Sequence, residues 1–134
     1  MSETTNTTKG VVLLVDDDKF LLDMYVMKFT AMGYSVNACL SAKEALVLLR
    51  GGFTPDVILF DITMPELDGF SFLRAVSEEH LAPVSIKIAL TNQNDDAERM
   101  KIADLGAMRY IVKANMIPSE VVNTITEELT KRRA

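Results

Sequence analysis

Val57-Ile58-Leu59-Phe60-Asp61-Ile62-Thr63-Met64-Pro65-Glu66-Leu67-Asp68-Gly69 is the stretch whose reading decides the fold. A continuous apolar run ends on an aspartate. A proline and an Asp-Gly pair then supply turn chemistry, and Phe70, Leu73 and Val76 follow at spacings of three. Unbroken apolar runs are typical of strands covered on both faces, as in parallel sheets. The pattern therefore predicts a buried strand, a loop and a helix.

Three other runs repeat it. Val11–Val15 ends on Asp16-Asp17-Asp18, Ile86–Leu90 ends on Thr91, and Tyr110–Val112 ends on Lys113. Open α/β sheets bind ligands at the carboxyl ends of their strands. Side by side, these four runs gather carboxylates, a hydroxyl and an ammonium on one sheet edge. That is the makeup of a divalent-metal and phosphoryl site.

Outward from these runs, strand and helix patterns alternate. A helix is expected over Lys19–Met32, with Leu21, Tyr25, Phe29 and Met32 as its stripe and Gly33 as its stop. Phe20, Leu22, Met24, Val26 and Met27 make this helix apolar on more than one face, which predicts deep burial. Tyr34–Cys39 reads as a less apolar edge strand. Ser41-Ala42-Lys43-Glu44 is a capping box that opens a helix ended by Gly51-Gly52. Lys87 is unwelcome in a buried strand and is expected near its start. Asn94-Asp95-Asp96 offers a cap and two acids at a helix start. Met108–Val112 is the fifth strand, and Pro118 suits the first position of a last helix with Val121, Val122, Ile125 and Leu129 inward. The pairs Glu127/Lys131 and Glu128/Arg132 lie at i,i+4 spacing. The result is a (βα)₅ α/β domain over residues 11–134, a doubly wound five-stranded parallel sheet. Residues 1–10, polar and Thr-rich, are expected to be a disordered tail.

The bulk composition is that of a globular domain, 49% apolar and 25% charged. No apolar run approaches the ~18–20 residues of a membrane span, and the N-terminus lacks an export signal. The single cysteine, Cys39, rules out an internal disulfide and fits a cytoplasmic location. A net charge of −5 argues against direct nucleic-acid binding. His80 lies in a polar stretch and reads as a solvated loop residue. Lys131-Arg132-Arg133 reads as helix-end charge.

Each site residue has a plain reading when taken alone. An Asp after a strand is most often a turn residue or cap, and Asp18, directly before the helix, is the clearest cap. Jointly, Asp16, Asp17 and Asp61 offer oxygen ligands for Mg²⁺ or Mn²⁺. Thr91 and Lys113 add a neutral donor and a positive charge for phosphoryl oxygens.

At this point the chain resembles the response-regulator receiver domain, the phosphoacceptor module of two-component signalling, in a stand-alone, chemotaxis-regulator-like form. The resemblance covers Val11–Arg132, and its most specific part is the apolar strand, Asp61, and Met64-Pro65-Glu66-Leu67-Asp68-Gly69. It implies flavodoxin-like strand order 2-1-3-4-5 and phosphorylation on Asp61. Asp17 is implied as a direct metal ligand, Asp16 as the holder of metal-bound water, and the Thr63 backbone carbonyl as a further ligand. Thr91 matches the switch hydroxyl, Tyr110 the aromatic switch position, and Lys113 the phosphate-contacting lysine. Thr63, Asn92 and Gln93 occupy positions that modulate access of water. The implied partners are a sensor histidine kinase or phosphotransfer protein and a downstream protein target. The chain is expected to be a monomer, or a weak homodimer that forms on phosphorylation.

Two positions depart from the family's habit. Ala114 follows the lysine where proline is usual, and Asn92 follows the threonine where a small residue is usual. They keep open a second reading, a pseudo-receiver that serves only as a scaffold. A third is a haloacid-dehalogenase-type phosphohydrolase. Asp16-Asp17-Asp18-Lys19-Phe20 contains its Asp-x-Asp but not the Thr or Val expected two positions later.

Overall fold

The apolar runs pair in parallel in the order β2-β1-β3-β4-β5. The computed structural model describes residues 8–133. In chain order the elements are β1 (Val11–Val15), α1 (Lys19–Ala31), β2 (Ser35–Cys39), α2 (Ala42–Arg50), β3 (Val57–Asp61), α3 (Gly69–Glu78), β4 (Ile86–Thr91), α4 (Asp96–Asp104), β5 (Arg109–Val112), a 3₁₀ turn at Lys113–Asn115, and α5 (Pro118–Arg133). Most of the expected tail, residues 1–7, lies outside the described residues. Residues 8–10 lead into β1, and the Lys9 N–H donates to the Gly33 carbonyl at 2.9 Å.

Side-chain alternation along the strands divides the core in two. Leu13, Val15, Ile58, Phe60 and Ala89 meet Ala45, Leu46 and Leu49 of α2, Phe72, Leu73 and Val76 of α3, and Ile102 of α4. On the other face, Val12, Leu14, Leu59, Ile88, Leu90 and Ile111 meet Leu22, Tyr25 and Phe29 of α1 and Val121, Val122, Ile125 and Leu129 of α5. β3 is buried along its whole length, whereas β2 is an edge strand with an exposed pattern.

Several local expectations need correction. The inward stripe of α1 is Leu22, Tyr25 and Phe29, while Met32 is exposed. Phe20 and Met27 are 76% and 69% exposed, because one side of the helix faces away from both sheet and neighbours. The cap of α4 is Asp95, whose Oδ1 accepts from the Glu98 N–H, and Asn94 precedes it. Glu128 pairs with Arg109 of β5 at 2.7 Å and with Lys131, not with Arg132. Other expectations hold. Asp18 caps α1 through Leu21 N–H, and His80 is exposed. Lys87 is half-buried near the start of β4, and its Nζ donates to the Ala82 carbonyl at 3.2 Å.

Candidate phosphoryl and metal site

β1 and β3 are neighbours, so their carboxyl ends deliver Asp16 and Asp61 to the same place. The Asp16 N–H continues the ladder to the Cys39 carbonyl at 3.1 Å, and its Oδ1 accepts the Asp18 N–H at 2.9 Å. The side chain is thus fixed from below and behind, and Asp16 is only 1% exposed. Asp61, the last residue of β3, is 2% exposed. Asp17 is exposed at the rim, and one carboxylate oxygen from each of the three acids lies within 4.8 Å of the others.

Lys113 reaches this group from the turn after β5. Its Nζ lies 2.9 Å from Asp16 Oδ2 and 3.4 Å from Asp61 Oδ2. Among the described residues no peptide bond is cis, so the Lys113–Ala114 bond is trans. The lysine therefore gains its aim from the 3₁₀ turn without a proline.

The electrostatics show too much negative charge in too little water. Burial, reinforced by the Asp16 charge, pushes the Asp61 carboxyl up to about 7, against the pull of Lys113 and the Thr63 N–H at 3.3 Å. Burial alone would lower the Lys113 ammonium, but its close contact with Asp16 and the charge of Asp61 raise it overall. Tyr25, which reads from the sequence as core, lies near enough to feel the same field. Burial first, then Asp16 and Asp61, push its phenol up to about 12.

A hard divalent cation fits this arrangement. Asp16 Oδ2 is buried and has Lys113 as ion partner but no aligned hydrogen bond. Three acids at this spacing match the oxygen-ligand preference of Mg²⁺ or Mn²⁺. Thr63, whose N–H faces Asp61 Oδ1, follows in the loop with its side chain exposed.

That loop is closed by Gly69. Its N–H donates to the Ile62 carbonyl at 2.8 Å, and a Cβ there would sit 2.6 Å from Ile62 Cα and 2.7 Å from the Asp61 carbonyl oxygen. Glycine is required by this close approach, which turn chemistry alone did not reveal.

The other expected residues form a second cluster. Thr91, buried at the end of β4, donates its hydroxyl to Glu98 Oε1 at 2.7 Å and accepts the Gln93 N–H at 3.3 Å. The Tyr110 hydroxyl lies 2.6 Å from the same Glu98 oxygen and 2.8 Å from the Gln93 carbonyl. It also accepts the Asp95 N–H at 3.4 Å, and the Arg99 guanidinium lies 4.4 Å above its ring. Asn92 and Gln93 are exposed beside this cluster. The structure thus brings Asp16, Asp17, Asp61 and Lys113 together, and separately joins Thr91 and Tyr110 through Glu98. The sequence reading missed Glu98, because nothing local ties it to hydroxyls carried by two different strands.

Known proteins share this plan. The family pattern of the response regulator receiver domain matches residues 12–126. The probable transcriptional regulator ycf27 of Guillardia theta is 35% identical over 106 residues, covering 79% of this chain and 40% of that protein. The response regulator SaeR of Staphylococcus aureus is 31% identical over 122 residues, covering 91% of this chain and 51% of SaeR. The chain thus spans about half or less of the length of these curated relatives. Among solved structures, the CheY-like receiver domain protein of Methanospirillum hungatei is 28% identical, with a TM-score of 0.82 over 92% of this chain and 95% of that one. The chemotaxis response regulator CheY4 of Vibrio cholerae is 26% identical, with a TM-score of 0.80 over 92% of this chain and 99% of that one. The five-stranded parallel order, the acidic strand ends and the family match over most of its length agree: this chain belongs to the response regulator receiver domains of two-component signalling.

Proposed function

We propose that Asp61 accepts a phosphoryl group from a phosphohistidine of a sensor histidine kinase or phosphotransfer protein. The observation that carries this reading is the convergence of Asp16, Asp17, Asp61 and Lys113 on one spot at the sheet edge. Asp16, Asp17, Asp61 and the Thr63 backbone carbonyl would hold Mg²⁺ or Mn²⁺. When bound, the ion supplies positive charge against the transferring oxygens.

An Asp61 carboxylate oxygen attacks phosphorus. The phosphorus–nitrogen bond to the donor imidazole breaks, and its electron pair stays on the imidazole. The product is an acyl phosphate on Asp61, later hydrolysed by water. Lys113, already beside Asp16 and Asp61, stabilises the added oxygens as a point charge. Thr91 supplies the neutral donor, and Tyr110 moves with it. Thr63, Asn92 and Gln93, all exposed around the site, set how readily water reaches the product.

Phosphorylation is read by a downstream protein on the face made by α4, β5 and α5, with a weak homodimer through that face as one form of the output. The reading places the chain in the cytoplasm. It is supported there by a buried free Cys39 and by the absence, among the described residues, of any helix long and apolar enough to cross a membrane. The scaffold alternative is less favoured, since Lys113 reaches both acids despite Ala114.

Incubation with acetyl phosphate or phosphoramidate and Mg²⁺, followed by intact mass measurement, should add one phosphoryl group to the wild type and none to Asp61→Asn. Failure of both small donors and of histidine kinases to produce a Mg²⁺-dependent adduct would leave the scaffold reading in place.

A further inference from the structure

We infer that Glu98 is a positioning residue that holds Thr91 away from the phosphoryl group and so sets the fraction of molecules ready to react. The inference rests on the phosphoacceptor reading of Asp61 and deepens it by naming what restrains the site.

The argument is one of proton supply. A hydroxyl carries a single donor hydrogen. The Thr91 hydrogen is spent on Glu98 Oε1 at 2.7 Å, and a Thr91 lone pair is spent on the Gln93 N–H. The Tyr110 hydroxyl approaches the same Glu98 oxygen at 2.6 Å. Hydrogen bonds to a carboxylate are short and strong, and these two share one acceptor atom. While both hold, Thr91 has no hydrogen to offer an oxygen on phospho-Asp61. Turning Thr91 toward the acids must break its bond to Glu98 and loosen Tyr110 at the same time. One carboxylate oxygen thereby couples the two hydroxyls mechanically.

Glu98 also has somewhere else to go. It is the third residue of α4, after the cap Asp95, in the sequence Asp95-Asp96-Ala97-Glu98. In a capping box the acid at this position turns back to the N–H of the cap residue. Here only half the box is formed. Asp95 Oδ1 accepts the Glu98 N–H, but the Asp95 N–H faces the Tyr110 hydroxyl at 3.4 Å instead of the Glu98 carboxylate. Glu98 has two competing arrangements, one gripping Thr91 and Tyr110 and one completing the cap of its own helix. Such a pair of alternatives is what a two-state element needs. α4 buries only Ile102, so little apolar packing opposes the exchange.

The test compares the wild type with Glu98→Ala, Glu98→Gln and Asp95→Ala in two measurements. The first reads the amide resonances of Gln93, Asp95 and Tyr110 without any donor. Glu98→Ala should move them toward the positions that wild type shows when saturated with beryllofluoride and Mg²⁺. The second is the initial rate of adduct formation with acetyl phosphate. Glu98→Ala should raise it by roughly five- to ten-fold, the scale of one net hydrogen bond. Glu98→Gln, which keeps an acceptor oxygen without the charge, should fall between the two and guards against a folding failure. Asp95→Ala removes the cap on the Glu98 N–H but leaves the Glu98 carboxylate in place, and should speed the reaction less than Glu98→Ala does. Unmoved resonances together with an unchanged or slower rate in Glu98→Ala would overturn the inference. If the wild type forms no adduct with either small donor or with a histidine kinase, the phosphoacceptor reading fails instead, and the grip is then judged by whether Glu98→Ala shifts the Gln93 and Tyr110 resonances at all.

Discussion

α5 and α4 flank β5 on opposite faces of the sheet and are held there by opposite means. α5 buries Val121, Val122, Ile125 and Leu129 against the sheet and α1. α4 buries Ile102 alone, and its other ties are polar or lie at its rim. These are Glu98 to Thr91 and Tyr110, Arg99 over the Tyr110 ring, and Lys101 over the Phe70 ring at 4.2 Å. A fully buried aliphatic side chain contributes about 1.5–3 kcal/mol, so α5 is anchored several times more firmly. The contrast puts a firmly packed helix opposite a weakly packed one, and the weakly packed one carries Glu98, which accepts from Thr91.

The strongest way to break this comparison is Ile125→Ala. It should cost about 3 kcal/mol of global stability through the cavity it leaves, read as a lower denaturant midpoint with unchanged slope. A loss well under ~1 kcal/mol would mean that α5 is not the anchor described.

Ile102→Ala should cost somewhat less globally, about 2 kcal/mol, because a surface helix with one anchor can relax around the gap. Its sharper effect is local. Amides of α4 should exchange at least roughly ten-fold faster than in the wild type, ahead of the strands and of α5. Equal protection of α4 and α5 in the wild type would remove the distinction altogether.

The smallest effect is electrostatic and asks whether the contrast survives a change of charge. The folded-state Asp61 carboxyl, at about 7, lies above its ordinary value of 3.8. Between those limits the folded protein keeps a proton that the unfolded chain has released. Stability of the metal-free protein should therefore fall as pH rises from ~4 to ~7, and this contribution should level off above that. Asp61→Asn should flatten the slope and stabilise the metal-free protein at pH 8, by less than the roughly 4 kcal/mol that the shift alone would imply, because it also gives up the Lys113 contact. Because packing sets the difference between the helices, α4 should still exchange faster than α5 in that variant. A wild-type midpoint that rises through this window would contradict the buried-charge account.

What could be read from sequence was what is local. The strands announce themselves as apolar runs, and the acids and the lysine are legible because each stands directly at the end of one. Glu98 was not legible, since an acid three residues after an aspartate reads as helix-cap chemistry and its second partner, Tyr110, comes from a different strand. The similar pattern at Ser41 and Glu44 does behave as a cap. There Glu44 Oε1 accepts the Leu40 N–H at 3.1 Å, one residue earlier than expected. The exposure of Phe20 and Met27 was hidden for another reason. When a helix is apolar on several sides, periodicity cannot say which side meets the sheet.

The loop from Thr63 to Asp68 is pinned at both ends. Asp61 is held in the sheet, and Gly69 is hydrogen-bonded to Ile62 with no space for a side chain. Between these pins the Leu67 N–H reaches the Pro65 carbonyl at 2.8 Å, and Glu66 adopts a φ of +68°. The spacing between these pins sets the loop's shape together with buried Met64 and the Asp68 side chain, which accepts the Ser71 N–H. Exposed positions such as Pro65 and Glu66 are open to exchange of side chain. One residue added or removed would shift Thr63 relative to Asp61, whose Oδ1 accepts the Thr63 N–H. In this stretch the two pins fix the number of residues between Asp61 and Gly69.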